Sequence, residues 1–152
     1  MDAPAIPSGF IALPLNLFLE VNGPLYGRMQ DGRFTLGFRV EERHCNPRRV
    51  CHGGMLMTLA DMLMAIGANL EKKLHRFLPT IKLEADFLAP AEIGDWLEGR
   101  CEVLKVTRNL VFAQGLIAAG EKIVLRTSGI MRLPAEPDPR VRLDELFASS
   151  GP

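Results

Sequence analysis

Asn46, His52-Gly53-Gly54 and Asp61 are the residues whose types and spacing could do chemistry. From Gly53 to Leu70 the chain reads GGMLMTLADMLMAIGANL, and Asp61 is the only charged side chain in that run. Burying a lone carboxylate is costly unless it is paired or hydrogen-bonded, so its position calls for a reason. The two glycines ahead of it allow close approach to the backbone where a helix begins. A helix N-terminus offers unpaired N–H groups and the positive end of the macrodipole. Such a place stabilises an oxygen that is gaining negative charge, as a carbonyl oxygen does in acyl transfer.

Each of these residues also has a plainer reading. The glycines can simply turn a loop into a helix, and Asp61 can be a structural carboxylate bonded to backbone or to the Thr58 hydroxyl. His52 can donate a hydrogen bond toward a leaving group, or be a packed residue with one satisfied nitrogen. Asn46 can orient a water or a carbonyl, yet Asn-Pro also suits an ordinary turn. His44-Cys45 and Cys51-His52 put four potential metal ligands within nine residues, but the five-residue gap between the cysteines is not a usual zinc spacing, and no metal is expected. Cys51 lacks an evident base and orienting carboxylate, so reduced, non-catalytic cysteines are the simpler reading. Met55, Met57, Met62 and Met64 read as core or as the lining of an apolar tunnel.

Geometry adds a constraint. Gly53 and Asp61 are eight residues apart, roughly 12 Å along one helix at 1.5 Å per residue. They cannot serve one reacting carbon from a single chain. If both act, antiparallel helices of two subunits must bring them together, which predicts a dimer.

The elements that must position these residues follow from periodicity. The proline-containing start MDAPAIPSGFIALP and a short helical turn in LNLFLE, ending before Asn22-Gly23-Pro24, form an arm over residues 1–23. Leu25–Met29 and Arg33–Val40 flank Gln30-Asp31-Gly32 as a hairpin. The loop EERHCNPRRVC leads into a helix from about Gly54 to His75, apolar nearly all round and so requiring something to wrap it. Thr80–Leu88 alternates most cleanly, with Ile81, Leu83, Ala85 and Phe87 on one side. Asp95–Val106, Leu110–Ala118 and Lys122–Leu133 supply three more strands. The order ββαββββ predicts an α+β domain over 24–133 in which a curved antiparallel sheet wraps one long helix. Residues 134–152 read as a peripheral tail.

Composition narrows the function. The 152 residues are the size of one domain, and 47% hydrophobic content is enough for one core. Eighteen basic against eighteen acidic residues disfavour a general nucleic-acid or anionic-membrane binder. The apolar run Met55–Leu70 is short and carries Asp61, so it reads as a core helix rather than a membrane span. Three cysteines without a disulfide framework and the lack of a secretory leader suggest the cytoplasm.

The pattern Asn46, PRRVC, His52-Gly-Gly, MLMT, Leu-Ala-Asp61 resembles the hotdog-fold acyl-CoA thioesterase superfamily, in particular its phenylacetate-pathway (PaaI-type) and 4-hydroxybenzoyl-CoA thioesterase-like branch. DFLAPAEIGDWLEGRCEVLKVTRN also resembles strands of that family, and the likeness runs over about residues 24–133. It implies the hotdog fold, a homodimer that in some members pairs again into a homotetramer, an acyl-CoA substrate and no cofactor. By position, Gly53 resembles the residue whose N–H polarises the thioester carbonyl, with Asn46 assisting. Asp61 of the partner subunit resembles the residue that activates the attacking water, although direct attack by Asp61 through an acyl-aspartyl intermediate is also chemically open. His52 would support the loop or the leaving group. Thr80 falls where some members hold that water, though regular strand parity would turn it from the core. Gly54, Arg48, Arg108 and Asn109 fall at substrate-contact positions, with Arg48 able to reach a CoA phosphate. Arg48 and Arg49 replace the small residues common in that loop, and a solvated hairpin end is the plainer reading of Arg108 and Asn109. The rival to an enzyme is a non-catalytic acyl-CoA-binding protein of the same fold.

Overall fold

The structure, a computed structural model, describes residues 5–14 and 17–148. A short strand β1 (Ile11–Ala12) and helix α1 (Phe18–Asn22) precede the hairpin β2 (Tyr26–Gln30) and β3 (Arg33–Arg39). Helix α2 (Gly53–Lys72) follows, then β4 (Thr80–Phe87), β5 (Trp96–Val106), β6 (Leu110–Ala119), β7 (Lys122–Arg132) and helix α3 (Leu143–Ala148). One antiparallel sheet of order β1-β2-β3-β5-β6-β7-β4 curves around α2. The expected α+β architecture, a sheet wrapped on a long helix, is what forms.

The wrapping is tight because the sheet presents small residues to the helix. A Cβ added to Gly67 of α2 would lie 2.3 Å from the Cys101 sulfur of β5, and one on Gly99 or Gly115 would press on Leu63. Leu59, Leu63 and Met64 are accordingly buried against Phe34, Leu97, Ile117 and Leu125. Each such side chain contributes about 1.5–3 kcal/mol by leaving water. By length and composition α2 could cross a membrane, but 61% of its most apolar stretch is buried in the fold, as befits a core helix.

Four expectations change. The helix starts at Gly53 and stops at Lys72, short of His75, because Lys73 enters the left-handed region (φ 50°). There the Lys73 and Leu74 N–H groups both donate to the Asn69 carbonyl. The N-terminal arm contributes a strand that its sequence did not signal, Ile11 pairing with Gly27, and it buries Phe10, Leu13 and Leu19. Its helical turn extends through Asn22; Leu15 and Asn16 lie outside the described residues. The tail is not merely peripheral: α3 lays Leu143, Leu146 and Phe147 half-buried on the core, with Phe147 edge-on to Phe34 at 6.3 Å.

The fourth change concerns β4. It alternates as expected, yet it is a sheet edge with no buried residue, and Ile81 and Phe87 stay 59% and 53% exposed. On α2 the sheet leaves a matching stripe uncovered: Gly54, Met57, Thr58, Asp61, Met62 and Ala65 lie at helical spacing and remain half-buried or exposed.

Candidate active site

The loop before α2 is built to deliver the helix N-terminus. A 3-10 turn at Glu42–His44 is closed by a reciprocal cap in which the Glu41 N–H donates to His44 Nδ1 at 3.0 Å. The His44 ring is buried against Phe38, centroids 4.6 Å apart, and burial lowers its pKa, with the neighbouring Arg43 adding to the shift. Arg43 donates to the carbonyls of Val21 and Gly23, tying α1 to this loop. Asn46 closes the next turn: its Oδ1 accepts from Arg48 N–H at 2.9 Å and its carbonyl from Arg49 N–H at 2.8 Å. The plain turn reading of Asn46 is therefore realised at its oxygen atoms, while its Nδ2 donates to nothing among the described residues.

His52 is the N-cap of α2, and its Nδ1 accepts from Gly54 N–H at 2.9 Å. The His52 carbonyl takes the N–H groups of Met55 and Leu56 at 2.9 and 3.1 Å. Of the first-turn amides, only that of Gly53 has no acceptor among the described residues. The expected contact of Gly54 with substrate cannot run through its N–H, which His52 already holds. A Cβ on Gly53 would lie 3.4 Å from the Phe87 ring, so the end of β4 walls the free amide on one side. Sequence reasoning missed Phe87, whose alternation marked it only as a strand residue.

Asp61 lies two turns further along the same unbroken helix, roughly 12 Å from Gly53. It is half-buried rather than enclosed, because it sits on the uncovered stripe. Thr58 does not hold it, since the Thr58 hydroxyl donates to the Gly54 carbonyl at 3.0 Å. The partner of Asp61 is Thr80, whose hydroxyl donates to Oδ1 at 2.5 Å. Regular strand parity argued against that contact, but the β4–β7 register shifts between Thr80 and Lys82, and such a bulge re-aims the residue beside it.

Two separate groupings result. His52, Gly53, Gly54 and Phe87 gather at the helix N-terminus, with Asn46 and the exposed Arg48 on the turn of the loop that leads to it. Arg49 is engaged by Glu42 at 2.7 Å, whereas Arg48 has no ion pair among the described residues. Thr80 with Asp61 forms the second grouping. Thr80 pairs with Met131 and Met131 with Val111, so the exposed Arg108-Asn109 turn lies at that end of the sheet. Each strand step is about 4.8 Å, which places the turn's strand two steps from Thr80. A concavity of about 1280 Å³ opens on the outer face of the sheet between Glu84, Arg100, Leu116 and Arg126, and none of the expected site residues lines it. No cluster of three or more His, Cys, Asp or Glu able to hold a metal occurs among the described residues.

Known proteins are similar to this chain in sequence and in shape. A Pseudomonas aeruginosa protein bearing the name "Putative esterase" is 34% identical over 134 residues, 85% of this chain and 98% of that protein. The E. coli PaaI protein from the phenylacetic acid degradation operon superposes with a TM-score of 0.65 at 22% identity, over 72% of this chain and 79% of its own. A Streptococcus pneumoniae thioesterase-named structure with coenzyme A gives 0.66 at 20% identity, over 75% and 91%. Residues 49–124, which hold His52, Gly53, Asp61, Thr80 and the Arg108-Asn109 turn, match the Thioesterase superfamily, and the chain belongs to that family, with its hotdog fold.

Proposed function

We propose that this protein is an acyl-CoA thioesterase of the PaaI-type branch, hydrolysing its thioester by water attack at a site shared between two subunits. The observation that carries the reading is the free Gly53 amide at a helix N-terminus whose other first-turn N–H groups are all occupied. A thioester carbonyl accepting from that N–H, with Asn46 Nδ2 beside it, would have its developing negative charge stabilised by a fixed donor and the helix dipole. Asp61 of the partner subunit would take the proton of the attacking water. Thr80, donating to Oδ1, leaves Oδ2 for that role. His52, engaged at Nδ1 as the cap, keeps Nε2–H available toward the leaving sulfur. Arg48 on the Gly53 side, and Arg108 and Asn109 on the Asp61 side, would meet the CoA phosphates. Coenzyme A in the streptococcal neighbour supports that ligand class.

The exposed β4 edge supports the shared site, and its midpoint agrees with the axis that the helices would need. If Gly53 faces Asp61 of the partner subunit, two-fold symmetry puts the crossing of the helices midway, at Met57. Phe87 lies by Gly53 and Thr80 by Asp61, so β4 runs antiparallel beside α2 with its midpoint at Leu83–Glu84. Antiparallel pairing of two β4 edges centred on Leu83 would set Lys82 opposite Glu84 of the partner subunit and Ile81 opposite Ala85 of the partner subunit. Charge and polarity then match across the edge. Exposed Ile81 and the stripe around Met57 would both be covered.

Release of CoA thiol across a panel of aryl-, short- and long-chain acyl-CoAs tests the reading. Turnover on one class is the expected result, and saturable binding without hydrolysis of any would select the non-catalytic acyl-CoA binder instead.

A further inference from the structure

Cys45 and Cys51 face each other across the neck of the loop that carries Asn46 and Arg48. They form an isolated antiparallel β-bridge. The hydrogen bonds that make it come from the residues on either side: His52 N–H donates to the His44 carbonyl at 2.8 Å and Asn46 N–H to the Val50 carbonyl at 2.9 Å. The cysteines are thus the non-hydrogen-bonded pair of the bridge. Their own N–H groups go elsewhere, Cys45 to the Glu42 carbonyl and Cys51 to that of Ala91. Such a pair sets its Cα atoms about 4.5 Å apart with both side chains on one face. That separation lies within the span of about 4.4–6.8 Å that a disulfide bridges.

The two thiols differ in access. Cys45 is half-buried and its sulfur donates to the Glu41 carbonyl at 3.4 Å, whereas Cys51 is 5% exposed. Burial pushes the Cys51 thiol up to about 12 and raises that of Cys45, so both rest as thiols near neutral pH. Cys101, buried under α2 at Gly67, belongs to a different part of the core.

We propose that Cys45 and Cys51 form a reversible thiol–disulfide site, oxidised by a low-molecular-weight disulfide such as glutathione disulfide. The Cys45 thiolate attacks one sulfur of glutathione disulfide, forming a mixed disulfide and releasing one glutathione thiolate. The Cys51 thiolate then attacks the Cys45 sulfur, forming the Cys45–Cys51 bond and releasing the second glutathione. The two protons lost by the cysteines end on the two glutathione thiols, and the two electrons given up by the cysteines reduce the glutathione disulfide. The bond closes residues 46–50 into a ring one residue ahead of the His52 cap, pinning the turn that Asn46 and Arg48 occupy.

The test is incubation of the native, full-length protein with glutathione disulfide, followed by acid quench, thiol titration and non-reducing peptide mapping. Free thiols are expected to fall from three to one. Cleavage between Arg48 and Arg49 should leave two fragments joined through Cys45 and Cys51, separated by dithiothreitol. Cys51→Ser should instead stop with a single glutathione on Cys45. Three persistent free thiols, a wild-type chain that stops at the mixed disulfide, or a cross-link through Cys101 or between chains would each overturn the proposal.

Discussion

The two ends of the uncovered α2 stripe are organised in opposite ways. At Gly53 the chain is saturated from within: the turn at Asn46, the His44 cap, the bridges Cys45–Cys51 and Val50–Glu92, and His52 on Gly54 leave one amide free. At Asp61 there is, among the described residues, one side-chain partner, Thr80, on an exposed edge strand with no neighbour beyond it. An oxyanion donor must be preorganised, because its worth lies in not reorganising as charge develops. The base of the proposed reaction must reach a water, and Asp61 stands half-buried on a stripe that this chain's own sheet leaves uncovered. On the proposed function, the contrast teaches that one chain would build a finished donor and an unfinished base.

The largest effect should come from breaking the Asp61 end. Asp61→Asn keeps the shape and can still accept from Thr80, but it cannot take a proton. kcat/KM on the best acyl-CoA should fall on the order of a hundred- to ten-thousand-fold with the melting temperature unchanged. Undiminished turnover would remove Asp61 from the chemistry, and a collapsed melting curve would make it structural.

Combining damage at the two ends sharpens the comparison. Asp61→Asn and Asn46→Ala subunits, each inactive alone, are co-refolded at equal ratio so that half of the dimers are mixed. A site shared between subunits gives every mixed dimer one intact site, and activity should return to about a quarter of wild type. Mixed dimers proven by mass spectrometry yet inactive would mean that both residues act within one chain.

The smallest effect tests how far the Gly53 end depends on its loop. The folded-state pKa of His44 is lowered by burial and then by Arg43, partly offset by Glu41. Protonation therefore favours the unfolded chain. Stability is full above the unfolded value of about 6.5 and is lost as pH falls below it toward the folded value. The melting temperature should drop more between pH 7.5 and pH 5.5 for wild type than for His44→Asn, whose Oδ1 can replace Nδ1 as acceptor for Glu41 N–H; equal drops would show that His44 does not titrate in this window.

Much of this was legible before any coordinates. The period-two runs and the apolar helix announced a sheet around a helix, and the Gly-Gly before an isolated carboxylate marked both ends of the stripe. Thr80 was harder, because its contact with Asp61 depends on a bulge, and alternation assumes there is none. Phe87 and the edge position of β4 were not readable either: an amphipathic strand looks the same in the middle of a sheet as at its rim. The sequence did not signal β1, since two residues carry no periodicity and their pairing with β2 is a tertiary event.

By itself the sequence determined what local chemistry determines: which of the long segments are helical or extended, that a Gly-Gly pair stands where the long helix begins, and that Gly53 and Asp61 stand too far apart on one helix to meet. Only the tertiary structure decided which first-turn amide stays free and that Thr80 holds Asp61. It also decided that β4 lies at the rim and that Cys45 faces Cys51. These depend on groups distant in sequence arriving at one place, and hydrogen bonds and burial are settled by that arrival rather than by the order of residues along the chain.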